Sequence, residues 1–428
     1  MGQTEGKNDL CWNQLFEKYN ILESIEQDGL FKISANQIKE FREPRLMTKF
    51  DHHVNLPRIF QKNNLSILPI TRGDYLISTF NVYSTLPEIQ GDAKSVSFSS
   101  CLESLAPNFI RSEAIALNAA YASGIFQDFL EEESLFPTVS GRMGSGEFNF
   151  LIKTGKGSQE IQVQNSQIEI DAAYEGSHSL ALIEAKRDLA PDFLVRQLYY
   201  PFRTWKNNIQ KNVKPIFFVY SNGIFSLYQF EFETLTDYNS LQLVKQKKYR
   251  ITTHIQKEDF QSFLNQTPVC EEPEFVFPQA DSMERVINLL ERLAQSPMTD
   301  RKITNIYAFV GRQTDYYTNA GRYLGLIKKR QNSNGGNLYS LTDIGQIIMQ
   351  MPLRERQLAL VETIQKYPVF HEVLRLTLST GNIPSKDEIV KIMKISGIHN
   401  VTKETTFYRR ASTVVKWIKW ILSLTENN

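Results

Sequence analysis

The chain has 428 residues, 41% hydrophobic and 22% charged, which fits a folded protein and excludes a disordered or collagen-like one. At roughly 100–200 residues per domain it divides into two to four domains. No apolar run reaches the roughly 18–20 residues of a membrane span, and the start MGQTEGKNDLCW lacks a signal peptide. Cys11, Cys101 and Cys270 are too scattered for a disulfide framework or a thiolate zinc site, so a reducing, cytoplasmic compartment is expected, with no membrane partner. The net charge of +1 hides an asymmetry: residues 299–428 carry 19 Lys and Arg against 10 acids, and the preceding residues 29 against 37. A basic C-terminal third points to a polyanion contact.

Residues 1–98 read as an α+β domain with a possible role in DNA recognition. The segment LCWNQLFEKYNILESIEQ predicts one helix, REPRLMTKF is basic, and LSILPITRGDYLISTFNVYS predicts two β runs broken at Arg72-Gly73-Asp74. His52 and His53 are adjacent and would face opposite ways in a strand, so paired metal ligation is not expected. Residues 99–240 open with a predicted amphipathic helix over 110–134, with Ser112 as N-cap and Glu113 in its first turn. A Gly-rich turn then leads to a strand alternating at Phe148, Phe150 and Ile152, followed by strands at IQVQNSQIEIDAAYEG and SHSLALIEAKRD. PDFLVRQLYYPFRTWKNNIQ predicts a helix with Pro191 near its start and Asp188 as its cap. KPIFFVYSNGIFSLYQFEF predicts a hairpin turning at Asn222-Gly223. Residues 241–280 read as a charged strand and an acidic linker, and residues 281–428 as helical and basic.

The most informative stretch is Asp171, then twelve residues, then Glu184-Ala185-Lys186. Alternation puts Glu169 and Asp171 on one strand face, and Glu184 with Lys186 on one face of the next. The run LALI around the second strand reads as buried on both faces. Charges in such a strand cost several kcal/mol unless paired or bound to a metal. Across a short turn, Asp171 and Glu184 lie side by side, and with the Ala185 carbonyl they form a hard-oxygen site suited to Mg²⁺. A divalent ion there lowers the pKa of a bound water, and a neighbouring lysine orients or deprotonates that water for attack on a phosphodiester. The other reading is an acid–lysine ion pair in an inert fold.

Asp171 and Glu184-Ala185-Lys186 resemble the PD-(D/E)xK nuclease signature, with Ile170 where the signature has proline. The order of elements across residues 105–230 resembles the core of type II restriction endonucleases. The resemblance implies an α+β multidomain protein whose central restriction-endonuclease-like α/β core carries a mixed sheet. It further implies Asp171, Glu184 and Lys186 as catalytic, with Glu113 as an additional helix-borne acid and Gln197 orienting the nucleophile or scissile phosphate. Mg²⁺ would be held by Asp171, Glu184 and Ala185. The activity implied is site-specific cleavage of double-stranded DNA by a bacterial or archaeal enzyme, a homodimer on DNA, partnered by a cognate DNA methyltransferase. The alternatives are a modification-dependent or resolvase-type repair nuclease, and a DNA-binding regulator with an inactive nuclease fold.

Two helix-turn-helix-like units follow in the C-terminal third. In the first, DRKITNIYAFVG and TDYYTNAGRYLGLIKKR predict two helices, with Tyr316, Tyr317, Asn319 and Arg322 available to a groove. QNSNGGNLYSLT predicts a hairpin, and the whole resembles a winged helix. In the second, SKDEIVKIMKIS leads to KETTFYRRASTVVKWIKWIL, whose first turns carry Lys403, Thr405, Thr406, Tyr408, Arg409 and Arg410, ahead of an apolar stripe at Val414, Trp417, Ile418 and Ile421. Polar and basic residues at the start of a second helix are where bases and phosphates are met. Arg142, Arg72 and Arg45 are further candidates for DNA contact.

Overall fold

The computed structural model describes residues 6–99, 101–105, 110–309, 312–331 and 336–425. The tip of the expected C-terminal hairpin, residues 332–335, lies outside the described residues, as does the end of the preceding helix segment at 310–311. Among the described residues no helix is long and apolar enough to cross a membrane. The architecture is mixed α+β.

The N-terminal helix expected as one piece is two, Lys7–Lys18 and Ile21–Asp28, because Asn20 between them takes a left-handed conformation (φ 48°). Trp12, Phe16 and Phe60 stack edge to face beneath them. The two β runs pair antiparallel as Ser66–Pro69 and Asp74–Ser78, with Phe31–Ser34 on the far side of the second.

A seven-stranded mixed sheet forms the centre. Its strand order is Lys94–Val96, Leu241–Ile251, Ile224–Phe232, Asn212–Ser221, Ser179–Lys186, Ala172–Glu175 and Phe136–Pro137. Ser179–Lys186 runs parallel to Asn212–Ser221, and the Arg196–Asn208 helix makes the crossover between them. The LALI strand is buried along its whole length up to Lys186. One core lies on the side of the helices Glu113–Ala122 and Ile125–Leu130, another against Arg196–Asn208 and the Glu147–Thr154/Gly157–Gln164 hairpin. Phe148, Phe150 and Ile152 point inwards as their alternation predicts, and the Asn222-Gly223 turn has positive φ at both residues, as a tight hairpin requires.

Several expectations change. The helix over 110–134 is broken at Gly124 (φ 73°). The Asp171 strand is interrupted into Gly157–Gln164, Gln167–Ile170 and Ala172–Glu175. The helix after Pro191 starts only at Arg196, because Asp192–Leu194 pairs as a strand with Tyr83–Thr85. The expected boundaries at 98/99 and 240/241 move as well: Lys94–Val96 and Leu241–Ile251 both belong to the central sheet, while the helix Lys257–Gln266 places Phe260 in the C-terminal core.

The C-terminal region begins helix Met283–Gln295, strand Met298–Thr299, helix Asp300–Tyr307, helix Gln313–Tyr323, then strands Ile327–Gln331 and Asn337–Leu341, the three strands forming one sheet. Five helices follow, ending in Glu404–Ser423, whose Trp417 packs on Phe370.

Candidate active site

The register of the Ala172–Glu175/Ser179–Lys186 pair matches Ala172 with Ile183, so one step further sets Asp171 opposite Glu184. Asp171 Oδ2 accepts the main-chain N–H of Ala185 at 2.7 Å. In an extended strand a residue's N–H and C=O point to the same edge, so the Ala185 carbonyl shares the edge that Asp171 occupies. Glu184 is only 8% exposed. Its Oε1 accepts from Gln197 Nε2 at 2.7 Å and from the Lys186 ammonium, two residues along the same strand face.

Electrostatics tie these groups together. Burial raises the Glu184 pKa, Lys186 draws it back and Asp171 adds to the rise, leaving it pushed up to about 7. Burial alone would lower the Lys186 pKa, but Glu184, Asp51 and Asp171 reverse this, and it stands above its ordinary value. Lys186 is thus placed to donate and to offset negative charge beside Glu184. Glu113 sits in the first turn of its helix, where Ser112 Oγ accepts the Ile115 N–H at 3.2 Å. Burial pushes its carboxyl up, against Lys186 and with Asp171.

Glu113, Asp171, Glu184, Lys186 and Gln197 all line one cleft of about 570 Å³. N-terminal residues, including Arg45, Lys49, Asp51 and Arg72, line the same cleft. Arg142 and Arg196 line it as well, Arg142 paired with Glu169 at 3.3 Å. The three residues of the motif are thus neither dispersed nor sealed. Lys49, Asp51 and Arg196 were not singled out from the sequence; REPRLMTKF showed its charge, but nothing local connects it to a strand 120 residues later.

Asp171, Glu184 and the Ala185 carbonyl are all hard oxygen donors, the set that Mg²⁺ takes while keeping several waters. Among the described residues no group of three or more His, Cys, Asp or Glu is disposed to hold a metal; the set here is two carboxylates and a carbonyl. Gln197 Oε1, beside Glu184, is buried with no hydrogen-bond partner. An unpaired acceptor next to two carboxylates fits a site whose complement includes a hydrated cation.

Asp188 does not cap a helix; its carboxylate holds Arg292. His52 and His53 are no ligand pair. His52 Nδ1 lies 2.7 Å from the Asp192 carbonyl oxygen and 3.0 Å from Asp192 Oδ1, and the His53 N–H donates to Asp192 Oδ2 at 3.0 Å.

The C-terminal candidates divide. Tyr316, Asn319 and Arg322 are half-buried; Arg322 donates to Asn319 Oδ1 at 3.1 Å and lies over the Phe275 ring. Tyr317 belongs to the core and donates to Asp281 Oδ1, so it is not available to a groove. Lys403, Thr405 and Arg409 are exposed, as is Tyr408, which donates to Asp387; Thr406 is half-buried. Arg410 is corrected: it is 7% exposed, its Nε has no partner, and burial lowers its pKa.

Three family models match, each a domain of unknown function: DUF6996 over residues 9–77, DUF6997 over 78–250 and DUF7226 over 285–426. Their limits agree with the strand pairing, since the second takes in both Lys94–Val96 and nearly all of Leu241–Ile251. No curated protein and no solved structure matches the chain.

Proposed function

We propose that the chain is a Mg²⁺-dependent deoxyribonuclease of the PD-(D/E)xK type, and within that class a type II restriction endonuclease cutting double-stranded DNA at a defined sequence. The observation that carries this reading is the contact of Asp171 with Ala185, beside the Glu184–Lys186 pair, on the floor of a cleft rimmed by cations.

Bound by Asp171, Glu184 and the Ala185 carbonyl, Mg²⁺ would polarise the phosphodiester and lower the pKa of the attacking water. Lys186 offsets charge developing on the phosphate. Gln197 holds Glu184 through its amide N–H and keeps its carbonyl oxygen free to orient a water. Glu113, which lines the same cleft, would add a helix-borne carboxylate at or beside the metal.

The helix–strand–helix–helix–strand–strand order over 283–341 supports the winged-helix reading, and with it a separate DNA-binding role for the C-terminal third. A homodimer on DNA and a cognate methyltransferase follow from the same proposal. Incubating a plasmid library with the protein and Mg²⁺, then sequencing fragment ends, is the direct test. Ends at one sequence, absent with Asp171→Ala, are expected. Cleavage surviving in Asp171→Ala removes the site assignment. Binding of a defined site without any cutting establishes the regulator instead, and cutting that requires a methylated plasmid establishes the modification-dependent enzyme.

A further inference from the structure

The cleft has a wall that the catalytic motif does not account for. Arg45, Lys49 and Arg72 are exposed side chains of the N-terminal module, yet they line the same space as Asp171 and Glu184. Arg142 and Arg196, from the central region, line the same space, and the Arg72 guanidinium lies against Gly144 at the end of the short strand that carries Arg142. Among the described residues Arg45, Arg72 and Arg196 have no carboxylate within salt-bridge distance, and Lys49 reaches Asp51 only at 3.8 Å. The acids on the floor are engaged elsewhere, Glu184 by Lys186 and Gln197, Asp171 by the Ala185 N–H. Five cations converge on the groove: Lys49 and Arg142 meet the lining acids Asp51 and Glu169, while Arg45, Arg72 and Arg196 meet none among the described residues.

Direct contacts tie the N-terminal part of the lining to the segment before Arg196. His52 and His53 grip Asp192, Tyr83 donates to the Phe50 carbonyl oxygen at 2.9 Å, and Tyr83–Thr85 pairs with Asp192–Leu194. The loop carrying Lys49 and Asp51 is thereby anchored to the segment that immediately precedes Arg196 and Gln197.

We propose that the N-terminal module is the second jaw of a phosphodiester-binding cleft, in which Arg45, Lys49 and Arg72, together with Arg142 and Arg196, hold a nucleic-acid backbone against the Asp171–Glu184–Lys186 site. The inference rests on the phosphodiesterase reading for the direction in which the strand is presented, but binding can be measured without cleavage. Carboxylates on the floor repel a phosphate, and rim cations overcome that repulsion by neutralising phosphates and releasing their counterions. Such contacts fix position and carry no sequence information, so they act alike on every sequence.

The test is binding of a fluorescent DNA duplex, and of a single strand of equal length, followed by anisotropy over a range of salt with no divalent ion present. The variant is Arg45→Ala/Lys49→Ala/Arg72→Ala, with Arg45→Lys/Arg72→Lys as the charge-preserving control and thermal unfolding as the check on folding. The triple variant should unfold as wild type, bind at least about tenfold more weakly, and lose about 0.9 of salt slope for each phosphate contact removed, while the lysine control keeps the slope. The form of DNA whose binding falls is the one the jaw holds. Unchanged affinity and slope for both forms overturn the proposal. If the triple variant loses binding but wild type never cuts in Mg²⁺, the nuclease reading falls and the jaw stands. If wild type cuts and the triple variant binds and cuts equally well, the jaw falls and the nuclease stands.

Discussion

Asp188 lies two residues beyond Lys186 and grips Arg292 of the Met283–Gln295 helix, its Oδ1 accepting from the guanidinium Nε at 2.6 Å and its Oδ2 from Nη2. The neighbouring contacts run the same way. Asn288 Nδ2 donates to the Arg187 carbonyl oxygen at 2.7 Å, and the Arg187 guanidinium donates to the Arg111 carbonyl, just before the helix that presents Glu113. The Ser179–Lys186 strand and the helix that carries Glu113 are thus both moored to the region proposed to bind DNA.

Removing one partner of that mooring should show in stability and in turnover together. Arg292→Ala leaves a half-buried Asp188 near Glu113 and should lower unfolding free energy by about 1.5–3 kcal/mol, the range for hydrogen bonds to charged groups. Denaturant unfolding reads the first effect. A fall in kcat with little change in KM reads the second. Full stability would show that the bidentate contact contributes nothing measurable.

The pH dependence follows from Glu184. Its carboxyl is raised from 4.5 to about 7, so between those values the folded chain binds a proton that the unfolded chain has released. Stability from this group therefore rises as pH falls through about 7 and levels off below 4.5. Mg²⁺ competes with that proton, so the rise in Tm on adding Mg²⁺ should grow as pH passes above 7. Both trends should vanish in Glu184→Gln. A pH-independent Mg²⁺ effect in the wild type would remove Glu184 from the site.

Asp171 has two roles that one substitution separates. Asp171→Asn retains an oxygen to accept the Ala185 N–H but loses the charge, so it should keep the wild-type Tm while activity falls more than about 100-fold. Asp171→Ala should lose both activity and about 1 kcal/mol of stability, because the Ala185 N–H loses its partner. Equal activity of Asp171→Asn and wild type contradicts a metal role for this carboxylate.

Much of the central region was legible because its signals are local. Alternation at Phe148, Phe150 and Ile152, the continuous apolar run before Glu184 and the Asn222-Gly223 turn each dictate a backbone state within a few residues. The Asp171–Glu184 pairing followed from one short hairpin. What was not legible depends on distant partners. Asp192–Leu194 is a strand only because Tyr83–Thr85 lies beside it, and the N-terminal cations reach the cleft only because His52 and His53 dock on Asp192. The breaks at Asn20 and Gly124 are single left-handed residues inside otherwise helical patterns.

Arg410 is a miss that the sequence did contain. Phe407, Val414 and Ile421 recur every seven residues, and Arg410 falls with Ala411 on that stripe, whereas Arg409 falls off it. The structure buries Arg410 and exposes Arg409 accordingly. Arg409→Ala should therefore leave stability within about 0.5 kcal/mol of wild type and, if this helix meets DNA, reduce the salt slope of binding by about 0.9. Arg410→Met should leave that slope unchanged and alter the unfolding midpoint, with the direction set by whether repacking outweighs the removal of a buried, partly unpaired guanidinium. Paired salt titrations and melting curves on the two variants check this. A slope change in Arg410→Met equal to that in Arg409→Ala would mean that the buried guanidinium turns outward when DNA binds.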